Sequence, residues 1–195
     1  MPEYFEEYAN EIFAALKNTT ATSLDDIAFN ANDALEAWVD ESKKRRDGNG
    51  LFFWIGNGAS ASMAEHMSHD CFKNADMLTL TCSETAHITA ISNDISYENV
   101  FAYRIGKMCS KKDMLITISS SGNSPNIIKA IETAKEKGMF IVTLSGKSED
   151  NKSRKMGNLN FYVRLSTYGL VESAHACLLH CWLDMFLDKY VRGRH

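Results

Sequence analysis

Proline is almost missing from this chain, with two residues in 195, Pro2 and Pro125, so Pro125 marks a specific position. No stretch approaches the roughly 20 apolar residues needed to cross a bilayer, which excludes a membrane-spanning helix. There is no basic excess either. Lys+Arg number 21 against 25 Asp+Glu, a net charge of −4, and a general nucleic-acid binder needs a basic field to neutralise phosphates. Nothing in that balance forbids a local pocket for one phosphate. Cysteines are few and odd in number (Cys71, Cys82, Cys109, Cys177, Cys181), in a chain too long to need disulfide staples. The start, MPEYFEEYANEIF, is acidic and amphipathic, the reverse of a secretory leader's basic start and apolar run. The expectation is a reduced, soluble, cytoplasmic protein with no nucleic-acid or membrane partner.

What is present is an ordinary globular composition, 45% hydrophobic and 24% charged, which excludes a disordered chain. The length suits a single domain over 1–195, divided into a helical segment (1–46) and an α/β core (47–195). Tyr4, Phe5, Tyr8, Ile12, Phe13 and Leu16 recur at helical spacing. Asn18 to Ser23 is a polar break. Ser23 followed by Asp26 resembles a helix cap, after which Ile27, Ala31, Leu35 and Trp38 continue an apolar stripe.

Beyond residue 46 the pattern alternates. LFFWIG (51–56), MLTLTC (77–82), MLITIS (114–119), MFIVTLS (139–145) and NFYVRLS (160–166) read as five short strands, the first like a strand buried on both faces. Helices are predicted over 60–72, 98–108, 125–137 and about 170–191. Such alternation with short links predicts a mostly parallel five-stranded sheet in a three-layer α/β/α sandwich, preceded by the N-terminal helices.

Two loops at strand ends carry the chemistry. In SSSGNSPN (119–126), Ser124 can cap a helix whose first residue is Pro125, which lacks only an N–H that has no partner there. Gly122 permits a tight turn. A helix start offers free N–H groups and a positive dipole end, and four serines add hydroxyl donors, which together suit a phosphate. GNGASAS (56–62) follows the first strand, with Gly56 and Gly58 allowing close backbone approach and Ser60 at the helix start. It lacks the third glycine of a dinucleotide fingerprint and the Gly-Lys-Ser/Thr ending of a P-loop. Two such loops should flank one crevice, and a sugar phosphate fits it better than a nucleotide.

Two helices carry acid and imidazole. On the first, Glu65 pairs by spacing with His69, and His66 with Asp70; spacing alone does not choose between them. On the last, Glu172 and His180 are two turns apart, with His175 between. The apolar neighbours Leu178, Leu179, Trp182, Leu183 and Phe186 predict a partly buried His180. Cys177 and Cys181, four apart, read as buried structural cysteines rather than metal ligands.

These pieces resemble the SIS (sugar isomerase) family over nearly the whole chain, and within it the phosphoheptose isomerases, which convert sedoheptulose 7-phosphate to D-glycero-D-manno-heptose 7-phosphate. The anchors are IGNGASAS, AISND (90–94), DMLITISSSGNSPNIIKAIETAKEKGM, TLSGK (143–147) and ESAHACLLH (172–180). The resemblance implies that Ser60, Ser119, Ser120, Ser121 and Ser124 hold a phosphate, with Gly58 in the same loop. It implies that Asn57 and Asp94 face the sugar. It also implies a divalent metal, usually zinc, at His66, Asp70, Glu172 and His180, which selects His66/Asp70 over Glu65/His69. Asp70, Glu172 and His180 become the candidate catalytic residues for proton transfer. The family usually has glutamate where Asp70 stands, glutamine where Glu172 stands, and an arginine where Asn74 stands; Lys73 is a substitute cation.

Family members are homotetramers with active sites between subunits and serve lipopolysaccharide or capsule heptose synthesis, so the same is implied here. The aromatic stripe of Tyr4, Phe5, Tyr8 and Phe13 fits interface burial and fits packing on its own domain equally. Two alternatives accompany the heptose reading: an isomerase for a different sugar phosphate, and a non-catalytic SIS protein binding the replication initiator DnaA.

Overall fold

The computed structural model describes residues 3–193. The chain opens with α1 (Tyr4–Lys17), β1 (Thr20–Ser23), β2 (Ala28–Phe29) and α2 (Ala31–Asp47). The alternating part follows as β3 (Leu51–Gly56), α3 (Ala59–Ala75), β4 (Leu78–Thr81), α4 (Thr85–Asp94), α5 (Ala102–Met108), β5 (Met114–Ser119) and α6 (Pro125–Glu136). It ends with β6 (Phe140–Gly146), β7 (Leu159–Val163) and α7 (Tyr168–Leu187).

All seven strands form one sheet in the order β2-β1-β7-β6-β5-β3-β4. The five expected strands, β3 to β7, run parallel. The sheet has seven strands rather than five because the polar break between the first two helices is itself a hairpin. β1 pairs antiparallel with β7 and with β2, placing Ala21 opposite Phe161 and fully burying it. Four residues are too few to show a period of two, and pairing covers what would otherwise be an open edge at β7.

Several boundaries moved for local reasons. Ser23 does not cap the second helix. Its hydroxyl accepts from the N–H groups of Asp25 and Ile27, both at 3.2 Å, closing the hairpin turn and leaving Ile27 exposed. The cap of α2 is Asn30, whose side chain accepts from the Asp33 N–H at 2.9 Å. The expected helix over 98–108 is a 3₁₀ turn (Tyr97–Asn99) followed by α5, and α4 was not foreseen, because only the partly buried Ile88 and Ile91 pack it on the core, too few to mark an apolar stripe. α3 runs on to Ala75, so Lys73 and Asn74 sit on its last turn rather than in a loop.

Successive side chains of β3 enter opposite layers. Phe52 and Trp54 join α2, α3 and α7 in one core, while Phe53 and Ile55 join α5 and α6 in the other. That is the physical meaning of an unbroken apolar strand. The larger core is built on three fully buried tryptophans, with Trp38 stacked on Trp182 at 4.3 Å and Trp54 5.7 Å from Trp182.

His175, also on α7, is the histidine that takes the buried place expected for His180. It is fully buried, its Nε2 donates to the Ser145 carbonyl at 3.1 Å, and its Nδ1 has no partner. Burial pushes its pKa down to about 4, against the ordinary 6.5 of an unfolded chain. Between those values the unfolded chain binds a proton that the folded one refuses, so stability falls as pH drops through this window. The loss should reach about 2 kcal/mol at pH 5 relative to pH 8. Urea unfolding at the two pH values, compared with His175→Gln, measures it; an equal pH dependence in both proteins would contradict the assignment.

Candidate active site

β4 and β5 lie on opposite sides of β3, so the chain reverses its direction of growth across the sheet there. In an open parallel sheet, a crevice forms at the carboxyl ends of the strands at such a reversal. Gly56 and Ile118 are register partners, which puts the two Ser/Gly loops side by side at that edge. They enclose one cleft of about 190 Å³. Asn57 and Ser60 line it from the first loop, and Ser119, Ser120, Ser121 and Ser124 from the second. Tyr168 and Glu172 close it from the start of α7.

Each loop holds its shape for a local reason. A Cβ on Gly56 would lie 2.5 Å from the Ser60 backbone, so only glycine lets the first turn of α3 pack this close to β3. Gly122 has φ +62°, and a Cβ there would meet Asn151 Oδ1 at 2.0 Å. Asn151 and Ser153 back the serine loop from behind, with the Ser153 N–H donating to the Gly122 carbonyl at 3.0 Å. Ser124 is the N-cap of α6 with Pro125 in the first turn, but its hydroxyl makes no capping bond. Gly58 caps α3 from a left-handed φ of +58°, again without a side-chain bond.

The starts of α3 and α6 therefore both present N–H groups at this edge of the sheet. Ser120 adds the most telling hydroxyl: its Oγ is buried and has no partner. A buried polar group left unpaired costs free energy that an anionic oxygen in the cleft would recover.

The second cluster lies further along the same two helices. His66 and Asp70 of α3 stand 3.3 Å apart, Nε2 to Oδ2. The His66 and His180 rings are 5.2 Å apart, edge to face. One ligand atom from each of His66, Asp70 and His180 lies within 4.8 Å of the others, so two imidazoles and a carboxylate can converge on one divalent cation. His180 is exposed rather than partly buried, because α7 turns Leu178, Leu179, Trp182 and Leu183 inward and leaves His180 facing α3. At 1.5 Å per residue, Ser60 to His66 spans about 9 Å and Glu172 to His180 about 12 Å. The cluster thus stands roughly that far from the serine cleft.

Not every expected residue converges. Glu172 is absent from the three-residue group and lines the serine cleft instead. Asp94 ends α4, is exposed, accepts from Asn93 at 2.8 Å and is not among the residues lining the cleft. Glu65 and His69 are exposed on α3, outside the group. Cys177 and Cys181 are exposed rather than buried, since they fall on the outer side of α7, and neither belongs to the cation group. Lys73 and Asn74 are exposed and do not line the cleft. Of the N-terminal aromatics, Tyr4, Phe5 and Phe13 are exposed, while Tyr8 packs against the core.

Three residues of the site escaped sequence reasoning. Tyr168 forms a wall of the cleft under the Lys147 ammonium, which lies 3.9 Å from its ring centroid. Asn126 and Tyr97 both hydrogen-bond Asn57. Asn126 was visible inside SSSGNSPN, but only the fold places it beside the other loop.

The sequence model of the SIS domain matches residues 7–146. The chain belongs to the SIS domain family. It is 33% identical over 168 residues to the phosphoheptose isomerase of Shewanella frigidimarina (strain NCIMB 400), covering 78% of this chain and 85% of that protein. It is 32% identical over 145 residues to the phosphoheptose isomerase of Helicobacter pylori (strain P12), covering 71% and 74%.

The solved phosphoheptose isomerase of Neisseria gonorrhoeae superposes with a TM-score of 0.80 at 23% identity, over 95% of this chain and 98% of that one. The structure from Francisella tularensis gives 0.81 at 20% identity, over 95% of both chains. These two structures share the fold of this SIS domain, including the extra N-terminal elements. No helix among the described residues is long and apolar enough to cross a membrane, and all five cysteines are free.

Proposed function

We propose that this SIS protein is an aldose–ketose isomerase converting sedoheptulose 7-phosphate to D-glycero-D-manno-heptose 7-phosphate. The observation that carries the reading is the pairing of two sites on α3 and α7: a serine cleft with an unpartnered buried Ser120 hydroxyl, and an acid–imidazole cluster farther along. A heptose 7-phosphate has its phosphate at one end and its reacting carbons at the other, which suits that separation. Relatives at about one-third identity named phosphoheptose isomerase support the same substrate.

Ser60, Ser119, Ser120, Ser121 and Ser124 hold the phosphate with the N-terminal N–H groups of α3 and α6. Gly58 and Asn57 complete that wall, and Asp94 is proposed to face the sugar once it is bound. Binding the phosphate fixes where the reacting carbons fall. Ketose to aldose then needs a proton taken from C1 and one delivered to C2, while the O1 proton is lost and O2 gains one. Asp70 and His180 exchange these protons, with Glu172 as the alternative base.

His66, Asp70 and His180, with Glu172 proposed as the fourth ligand, are the residues that would hold a divalent metal, proposed as zinc. Such an ion supplies Lewis-acid polarisation of the sugar oxygens. A converging acid–imidazole set is what a catalyst needs and a DnaA-binding scaffold does not. We further propose a cytoplasmic homotetramer with active sites between subunits, which the exposed Tyr4, Phe5 and Phe13 of α1 support, acting in lipopolysaccharide or capsule heptose synthesis.

The deciding experiment incubates purified protein with a panel of ketose and aldose phosphates, with and without added zinc, and identifies products by NMR. Turnover of sedoheptulose 7-phosphate above the other sugars is the expected result. No turnover of it under either condition overturns the heptose reading. Metal analysis of freshly purified protein should find a bound divalent ion; an active protein neither containing nor responding to one removes the metal from the scheme.

A further inference from the structure

Asn57 of the first loop and Asn126 of the second face each other as a reciprocal amide pair. The Asn126 Nδ2 donates to Asn57 Oδ1 at 2.9 Å, and the Asn57 Nδ2 donates to Asn126 Oδ1 at 3.0 Å. Taken alone, such a pair reads equally well with both amides flipped. Here the ambiguity is removed from outside. The backbone N–H of Ile127 is shared between the Ser124 carbonyl and Asn126 Oδ1, both at 3.0 Å, and an NH₂ in the second place would set donor against donor, so that atom is the oxygen. Asn126 must therefore turn its NH₂ toward Asn57, which makes the facing atom of Asn57 its oxygen. The Tyr97 hydroxyl, 3.2 Å away, then donates to the same oxygen.

This settles what Asn57 can offer a ligand. Its oxygen already accepts from Asn126 and Tyr97, and one Nδ2 hydrogen is engaged. The second Nδ2 hydrogen meets no acceptor among the described residues, and Asn57 lines the serine cleft. We propose that Asn126 is a positioning residue that locks Asn57 as a hydrogen-bond donor, so that Asn57 meets an acceptor oxygen of the substrate, whether phosphate, carbonyl or hydroxyl, and never accepts a hydroxyl hydrogen. Asn126 is 1% exposed and sits in the first turn of α6, so it also ties the two substrate loops together through side chains alone. The proposal rests on the isomerase reading for its substrate, and on the hydrogen bonds above for its polarity.

The test is a double-mutant cycle of Asn57→Ala and Asn126→Ala, with sedoheptulose 7-phosphate as the probe, read in kcat, KM and calorimetric binding. Asn126→Ala adds no charge beside the cleft, and the Ile127 N–H keeps its 3.0 Å bond to the Ser124 carbonyl, so the start of α6 survives. It removes the amide that holds Asn57 in one orientation. Each single variant should lower kcat/KM about 10- to 100-fold. The double variant should be no worse than Asn57→Ala, because Asn126 acts through Asn57. Tyr97→Phe should show a smaller loss in the same parameter.

A loss confined to KM and binding identifies an acceptor oxygen whose charge does not change in the reaction, and a loss in kcat identifies an oxygen that becomes charged during it; either supports the lock. Additive losses, or full activity in Asn126→Ala, overturn it. Wild-type protein that binds the sugar phosphate without turning it over overturns the isomerase reading alone, and the cycle in binding then decides the lock. Wild-type protein that neither binds nor turns over the sugar phosphate overturns both.

Discussion

Asp70→Asn is expected to lower kcat for sedoheptulose 7-phosphate about 100- to 10,000-fold, the range for removing a positioned acid or base. KM should change by less than about threefold, since the proposed phosphate grip lies in the serine loops and a group acting on the reacting carbons shows in kcat. Asparagine keeps the size and the hydrogen-bonding reach toward His66, which stands 3.3 Å away, but it cannot take a proton. It also weakens the cation group, so zinc content is measured beside the rate. A variant that retains metal but not turnover isolates the proton-transfer role; one that loses both assigns Asp70 to the metal. Glu172→Gln and His180→Gln complete the set, and undiminished activity in all three would remove this site from the reaction.

Trp182→Ala should destabilise the fold by about 3–5 kcal/mol, the cost of emptying a large aromatic site that cannot collapse. For a chain of this length that is a fall in melting temperature of about 6–20 °C. Trp182 is fully buried, stacks on Trp38 at 4.3 Å and touches Trp54 and Phe186. It joins α7 to α2 and to β3 from the side of α7 opposite His180. Its indole N–H is buried without a partner, so Trp182→Phe loses volume but no hydrogen bond and should cost about 1–2 kcal/mol. Thermal unfolding of the two variants checks both numbers. An alanine variant as stable as the phenylalanine one would mean that the tryptophan cluster does not anchor α7.

How much of this was legible beforehand differs element by element. LFFWIG, MLITIS and MFIVTLS read as strands from their short apolar runs, and they are β3, β5 and β6, each covered on both faces. SSSGNSP announced its own geometry, since Pro125 and Gly122 are residues whose backbone preferences are local. The pair β1–β2 was not legible: Thr20–Ser23 has no period to read, and it is a strand only because β7 offers it hydrogen bonds. α4 hid for another reason, since only the partly buried Ile88 and Ile91 tie it to the core.

The site divides in the same way. The two Ser/Gly loops were readable as strand-to-helix turns, though not the Asn126 contact between them, and the choice of His66/Asp70 came from resemblance, since Glu65/His69 has the same spacing. On α7 the burial of the two histidines was misjudged. His175 and His180 are five residues apart, about 1.4 turns, so they face different directions, yet both stand among apolar neighbours in the sequence. Only the position of α3 against α7 shows that His180 faces His66 and that His175 faces β6.

By itself the sequence determined the class of fold, the two Ser/Gly loops at strand ends and the helices that bear acid and imidazole. These follow from backbone preference and periodicity, which act over a few neighbouring residues. The tertiary structure decided the rest: the two added strands β1 and β2, the convergence of His66, Asp70 and His180, the placing of Glu172 in the serine cleft, and the polarity of the Asn57 amide. Each depends on groups from about forty to more than a hundred residues apart meeting within a few ångströms. Spacing along one chain carries no term for such a meeting until the sheet order brings those segments together.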